Sequence, residues 1–293
     1  MEEEQDNSAS SFNGRLDKFQ YTTKRVDTGF DRSISITTTK STRALRSSSK
    51  RSSTETESSN LPQSSQLAKR RRASSKYADP SKYAHLEHLK DILEPNLICV
   101  FVGFNPGVRT AAEGHAYAHP SNLFWRLLHS SGLTDRRCKP EEDRDLPRLY
   151  AMGNTNLVSR PTKDTAELSK AEMAAGTPVL EEKIRKYKPE AVCIVGKSIW
   201  ESIWRYRYGR NLKPSEFKYG WQDEKENMGK TDALEIDAEG EAWQGAKVFV
   251  TTSTSGLAAS LKPAEKEAIW RPFGDWVNER RAERIRQTES NIS

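Results

Sequence analysis

The sequence predicts an α/β fold, a three-layer αβα arrangement around a short, mainly parallel central sheet with a disordered N-terminal tail in front. Three observations carry this. Short, continuously apolar runs recur at Leu97–Val102, Ala191–Val195 and Lys247–Val250, as expected of strands buried on both faces. Segments with helical spacing of apolar residues lie between and after them. The first two runs break straight into glycine-containing turns and the third into a Ser/Thr/Gly loop, which places polar groups at strand ends.

Taken in order, residues 1 to 80 read as disordered. From Ser33 to Ser65, 18 of 33 residues are Ser or Thr, too little apolar surface to offset the entropy of ordering. Phe12, Leu16 and Phe19 fall at i, i+4 and i+7 and could form an apolar stripe on a protein partner. Lys69-Arg70-Arg71-Arg72 is a basic run suited to nuclear import or to tethering DNA. Residues 81–288 read as one domain, within the usual range for a single core. Its expected elements are a strand at Leu97–Gly103, helices at Asn122–Gly132 and Ser169–Tyr187, a strand at Ala191–Val195, a helix from Gly196-Lys197-Ser198, a strand at Lys247–Val250 and a terminal helix at Pro263–Arg284. The Gly-, Lys- and Glu-rich segment at about 206–243 reads as an inserted loop or hairpin.

The net charge of +6 favours an anionic partner such as nucleic acid. Cys99, Cys138 and Cys193 are too few for a four-cysteine metal or iron–sulfur site, and two of them sit inside apolar strands. They fit a reducing, intracellular compartment. No apolar run approaches the ~18 residues of a membrane span, and no membrane association is expected.

The chemistry concentrates in a few loops. Gly103-Phe104-Asn105-Pro106-Gly107 delivers one amide, Asn105, to the carboxyl end of a strand, where ligands bind in open α/β sheets. Gly114–Trp125 holds His115, Tyr117, His119 and Asn122 ahead of an aromatic-rich helix. A His-x-x-x-His metal pair normally needs a helix and a third ligand; Pro120 and the small residues argue for a loop, so no metal is expected. Tyr117 reads either as ordinary core or, as an aromatic in a loop beside a polar catalyst, as a stacking face for a nucleobase. Gly196-Lys197-Ser198 offers backbone N–H groups and a cation to a phosphate, although it lacks a P-loop frame. Asn154–Thr162, read by itself, is a polar turn. Ser253-Thr254-Ser255-Gly256-Leu257 reads as an exposed loop tip carrying one large apolar side chain.

Together these segments resemble the mismatch-specific uracil/thymine DNA glycosylase family. Gly-Phe-Asn-Pro-Gly, Ala-His-Pro-Ser-Asn-Leu-Phe-Trp, Thr-Asn-Leu-Val-Ser-Arg-Pro-Thr, Val-Gly-Lys-Ser and Ser-Thr-Ser-Gly-Leu occur in the family's order and approximate spacing, over roughly Pro95 to Trp276. The tail and the insertion look like a eukaryotic, fungal elaboration of a compact bacterial form. The resemblance implies a uracil-DNA glycosylase-like fold and a nuclear, monomeric enzyme without cofactors. It would act on double-stranded DNA carrying G·U or G·T mispairs, hydrolysing the N-glycosidic bond of a flipped pyrimidine and so starting base excision repair.

The same resemblance implies roles. Asn105 would hold and polarise the attacking water, with Thr162 helping to hold it. Tyr117 would stack on the base, and Asn156 and Asn122 would line the pocket. Backbone groups near Phe104 would face a base oxygen. Leu257 would fill the gap in the stack, with Gly256 permitting close approach, while Ser253, Ser255 and Lys197 bind phosphates. Leu257 stands where vertebrate thymine glycosylases carry arginine. Ala259 replaces an arginine of bacterial relatives, and Thr110 would crowd a 5-methyl group, so uracil is favoured over thymine. The competing reading is a non-catalytic module of the same fold that binds mismatches or modified cytosine; Asn105 argues against it. An unrelated nucleotide-binding protein would lack both a Gly-x-Gly-x-x-Gly or Walker frame here and a use for the Ser-Gly-Leu loop.

Overall fold

Valines and isoleucines alternate with aromatics and cysteines along the central strands, and this alternation builds two separate cores. The computed structural model describes residues 76–231, 242–258 and 260–292. The tail readings, with Phe12, Leu16, Phe19 and Lys69–Arg72, lie outside the described residues, as does Ala259. Among the described residues five strands form one sheet: β1 (Cys99–Gly103), β2 (Met152–Asn156), β3 (Ala191–Val195), β4 (Gly220–Trp221) and β5 (Lys247–Thr251). Their order is β2-β1-β3-β5-β4. The first four run parallel, and β4 pairs antiparallel with β5.

Six α-helices lie among the described residues: α1 (Val108–Glu113), α2 (Phe124–Ser130), α3 (Leu146–Tyr150), α4 (Lys170–Tyr187), α5 (Lys197–Tyr208) and α6 (Pro263–Ile292). On one face, Val100, Val102, Val192, Ile194, Val248 and Val250 pack against Leu180 and Ile184 of α4 and Ile199, Trp200 and Ile203 of α5. On the other, Cys99, Phe101, Cys193 and Phe249 pack against Phe124 and Leu128 of α2 and Trp270, Phe273 and Val277 of α6. The result is the expected three-layer sandwich. Each such buried side chain contributes roughly 1.5–3 kcal/mol of transfer free energy. Cys99, Cys138 and Cys193 are free and buried, and burial pushes the Cys99 thiol up to about 12.

The strands at 97–103, 191–195 and 247–250 and the helix at 169–187 lie where the sequence places them, within two residues. Ser169 and Glu172 cap α4 reciprocally, which ends the preceding loop sharply. Five points differ from the sequence reading. Asn154–Thr162 is not merely a turn, because its first residues are buried strand β2. Asn154 exchanges backbone hydrogen bonds with Ile92 (2.8 Å each way). Thr155 Oγ1 donates to Asp91 Oδ1 (2.6 Å), which is itself paired with Lys183. These bonds satisfy the Asn154 backbone and the Thr155 hydroxyl in a buried strand whose pattern carries no apolar signal, while Asn154 Oδ1 is buried without a partner.

The short helix α1 was absent from the pattern. The helix read as Pro263–Arg284 extends to Ile292; Arg280 and Arg284 grip Glu190, and Arg281 donates to the Tyr150 carbonyl, so its polar half is tethered. The segment at 206–243 is neither a free loop nor a simple hairpin in its described part. It opens with the last turn of α5, adds β4 to the sheet edge and closes through a Met228–Ala246 bridge. Arg207 anchors it, bonding Glu181 and the buried Glu226. Packing also begins before residue 81, since Ala78 is buried and its N–H donates to the Glu167 carbonyl. No helix among the described residues is long and apolar enough to cross a membrane.

Candidate active site

Four parallel strands end at one edge, so the loops after β1, β2, β3 and β5 share a rim. The loops after β1 and β2 are zipped together. Leu157, Val158 and Thr162 donate N–H bonds to the carbonyls of Gly103, Phe104 and Pro106 (2.9, 2.9 and 3.1 Å). This brings Asn105 against Thr162 and Arg160 across 55 or more residues of chain.

The hydrogen bonds of Asn105 fix which way its amide points. Nδ2 donates to the Arg160 carbonyl (2.9 Å) and to Thr162 Oγ1 (2.8 Å), with a longer contact to the Pro106 carbonyl (3.3 Å). A carbonyl can only accept, so the nitrogen must face Arg160. Thr162 Oγ1 spends its proton on the Asp164 carbonyl (2.9 Å) and must therefore accept from Asn105. The Asn105 Oδ1 lone pairs are left with no partner among the described residues and open to solvent. Thr162, only 2% exposed, orients the amide; its proton is committed to the protein, so any help it gives a water comes through a lone pair. Arg160 was not singled out by sequence. Its guanidinium pairs with Glu172 (2.6 Å), pinning the carbonyl that aims Asn105 to the start of α4.

Near Asn105 in the chain, Gly103 brings two further polar groups close together. A Cβ built on Gly103 would lie 2.5 Å from Asn156 Oδ1 and 3.1 Å from the Tyr117 hydroxyl. Glycine is thus what lets these two groups converge. Gly103 and Asn156 are register partners on β1 and β2, and no described residue hydrogen-bonds the half-buried Asn156 side chain. Tyr117 lies flat on Phe124 (centroids 3.8 Å apart, planes at 17°). Its hydroxyl is buried without a partner, and burial raises its pKa far above the usual phenol value. Thr110 is buried on α1. Phe104 packs toward the α4/α5 core. Asn122 Oδ1 accepts from the Phe124 N–H (2.9 Å), so that oxygen braces α2. His115 bonds Asp143 and His119 bonds Ser121.

The loop after β5 forms the other side of the rim. Leu257 is 84% exposed, the most exposed of the large apolar side chains described. Gly256 is packed so tightly that a Cβ would fall 2.4 Å from Ser121 Oγ, and Leu123 donates its N–H to the Thr254 carbonyl (2.9 Å). The loop is thereby joined to the one bearing Tyr117. Ser253 Oγ and Ser255 Oγ accept from the N–H groups of Ser255 and Leu257 (3.3 Å each), leaving both hydroxyl protons free to donate. From beneath, the buried Lys266 donates to the Ser253 and Ala258 carbonyls (3.0 and 2.8 Å); burial lowers its pKa. No local sequence pattern marks Lys266, since its partners are 8 and 13 residues away. Lys197 begins α5 at the same edge, but it is not a free cation: Glu201 lies 3.7 Å away and the Phe217 ring 4.6 Å below it.

An unpartnered amide oxygen, an aromatic face and an exposed apolar tip on one rim call for comparison with known proteins. Residues 90–274, well over half of the chain, match the uracil DNA glycosylase superfamily. The chain belongs to that superfamily. It is also 36% identical over 201 residues to a protein of Schizosaccharomyces pombe described as a G/U mismatch-specific uracil DNA glycosylase. That match covers 68% of this chain and 56% of the fission-yeast protein, so the chain spans little more than half the length of the relative.

Proposed function

We propose that this chain is a monofunctional DNA glycosylase that removes uracil mispaired with guanine. The observation that carries the proposal is the Asn105 amide, held by its nitrogen with its oxygen free. A water accepted there would be polarised against the anomeric carbon. The water oxygen bonds to that carbon as the N-glycosidic bond breaks; the bonding pair leaves with the base as an anion, and the water proton passes to solvent. An amide is a weak base, so this suits a reaction whose sugar is already oxocarbenium-like and whose leaving group is stabilised. Slow turnover is expected.

The base must leave the duplex to reach Asn105, and a weak G·U pair lowers that cost. Tyr117 offers the stacking face and Asn156 an amide for the base edge. Leu257 has the exposure required to occupy the emptied stack. Thr110, on the helix that follows Gly107, is the residue read as crowding a 5-methyl group, which favours uracil over thymine. Further parts of the proposal are a monomer acting on duplex DNA, a basic run at Lys69–Arg72 that directs the chain to the nucleus, and a protein partner on the stripe of Phe12, Leu16 and Phe19. Single-turnover excision on G·U, A·U and G·T duplexes and on single-stranded uracil tests the activity, with G·U expected fastest. Tight binding to G·U duplexes without release of base from any of them would make the chain a recognition module. Loss of nuclear accumulation on replacing Lys69–Arg72 with alanines checks the import role.

A further inference from the structure

Tyr117 adopts φ +54°, a left-handed conformation that costs an aromatic residue free energy unless its surroundings enforce it. Its flanking peptide shows what does so. The Ala116 N–H donates to Asp143 Oδ2 (2.7 Å), and the Ala116 carbonyl accepts from Trp125 Nε1 (3.1 Å). Asp143 Oδ1 takes a second bond from His115 Nδ1 (3.1 Å). Asp143 is 1% exposed, comes from a 3₁₀ turn 27 residues further along the chain, and has no ion-pair partner but His115 among the described residues. Burying a carboxylate with so little compensation is costly. What it secures is the orientation of the two residues that lead into Tyr117.

We infer that Asp143 is a positioning residue for base capture: its carboxylate clamps the Ala116 N–H and the His115 ring so that the Tyr117 ring stands ready against Phe124 before any base arrives. The inference rests on the reading of Tyr117 as the face that stacks on the flipped base. Its effect belongs in the chemical step, because a loosened ring lets the base wander from the Asn105-held water without changing contacts to the duplex.

The test is a double-mutant cycle on G·U duplex with the full-length chain. Asp143→Ala is expected to lower the single-turnover rate about 10–100-fold at saturating protein, with duplex affinity within about twofold of wild type. Asp143→Asn can still accept from Ala116 and should recover most of the rate. In a Tyr117→Ala background, Asp143→Ala should cost no more than about twofold further, since a residue acting only through Tyr117 has nothing left to position. Additive losses, or an unchanged rate in Asp143→Ala, overturn the inference. If Asp143→Ala does not fold, Asp143→Glu keeps the charge, shifts the anchor by a methylene and carries the same comparison. A wild-type rate in Tyr117→Ala would instead overturn the stacking role, and failure of the unaltered chain to release uracil would overturn the glycosylase proposal itself.

Discussion

The two ends of the sheet treat polar groups in opposite ways. At the amino end nearly every polar group named is paired: Glu190 takes bonds from both Arg280 and Arg284, Arg284 also reaches the Asn96 carbonyl, and Arg281 donates twice to the Tyr150 carbonyl. At the carboxyl end the Asn105 oxygen, the Asn156 amide, the Tyr117 hydroxyl and the Ser253 and Ser255 protons are left over. One end saturates its hydrogen bonds for stability. The other holds unsatisfied capacity in fixed positions, which is what a preorganised binding edge requires. Leftover capacity costs stability, and the saturated end supplies some of it back.

Substitutions should therefore separate rate from stability according to the end they strike. The largest effect is expected of Asn105→Ala: a loss of ~10²–10⁴-fold in single-turnover excision, with duplex binding and melting temperature close to wild type. A fall in melting temperature matching that of amino-end variants would break the contrast. Glu190→Ala should do the reverse. Removing the acceptor for two partly buried guanidiniums costs about 1–3 kcal/mol, lowering the melting temperature by several degrees, while the folded fraction excises at the normal rate.

Leu257→Ala should leave thermal stability untouched, given its exposure. It should slow excision about tenfold from duplex DNA and less from single strands, where no gap needs filling. Equal slowing on both would assign Leu257 another role. Thr110→Ala removes the branched side chain while keeping a good helix former. It should raise the thymine-to-uracil rate ratio by at most ~1–3 kcal/mol equivalent; an unchanged ratio removes Thr110 from the pocket. The smallest effect concerns pH. The groups assigned to chemistry are an amide and a hydroxyl, and burial keeps the Tyr117 phenol neutral well above its ordinary pKa. The single-turnover rate should accordingly stay flat between about pH 7.5 and 9.5. A sigmoidal rise there would reveal a titrating base that the structure does not place.

Much of the saturated frame was legible in the sequence because burial writes itself locally. Ala191–Val195 could hardly be anything but a strand, and Ser169 with Glu172 marks the start of α4. Asn105 was legible for the opposite reason, as a polar residue where a buried strand stops. What escaped is set by long-range pairing. Strand β2 carries polar residues because Asp91 and Ile92, about 60 residues earlier, pair the Thr155 hydroxyl and the Asn154 backbone. Arg160 orients Asn105 through a carbonyl, an atom every residue possesses, so no residue type could signal it. Asp143 and Lys266 look like surface charges until the loops they hold are in place.

The backbone bond from Leu123 to Thr254, with Ser121 pressed against Gly256, has a mechanical consequence. The tip that would enter the helix stack and the ring that would receive the base sit on loops bonded directly to each other. This link holds the two loops together before DNA arrives. The molecule acts as a caliper rather than a closing hand: a nucleotide must travel the full gap between the jaws, and little conformational entropy is lost by the protein when it does.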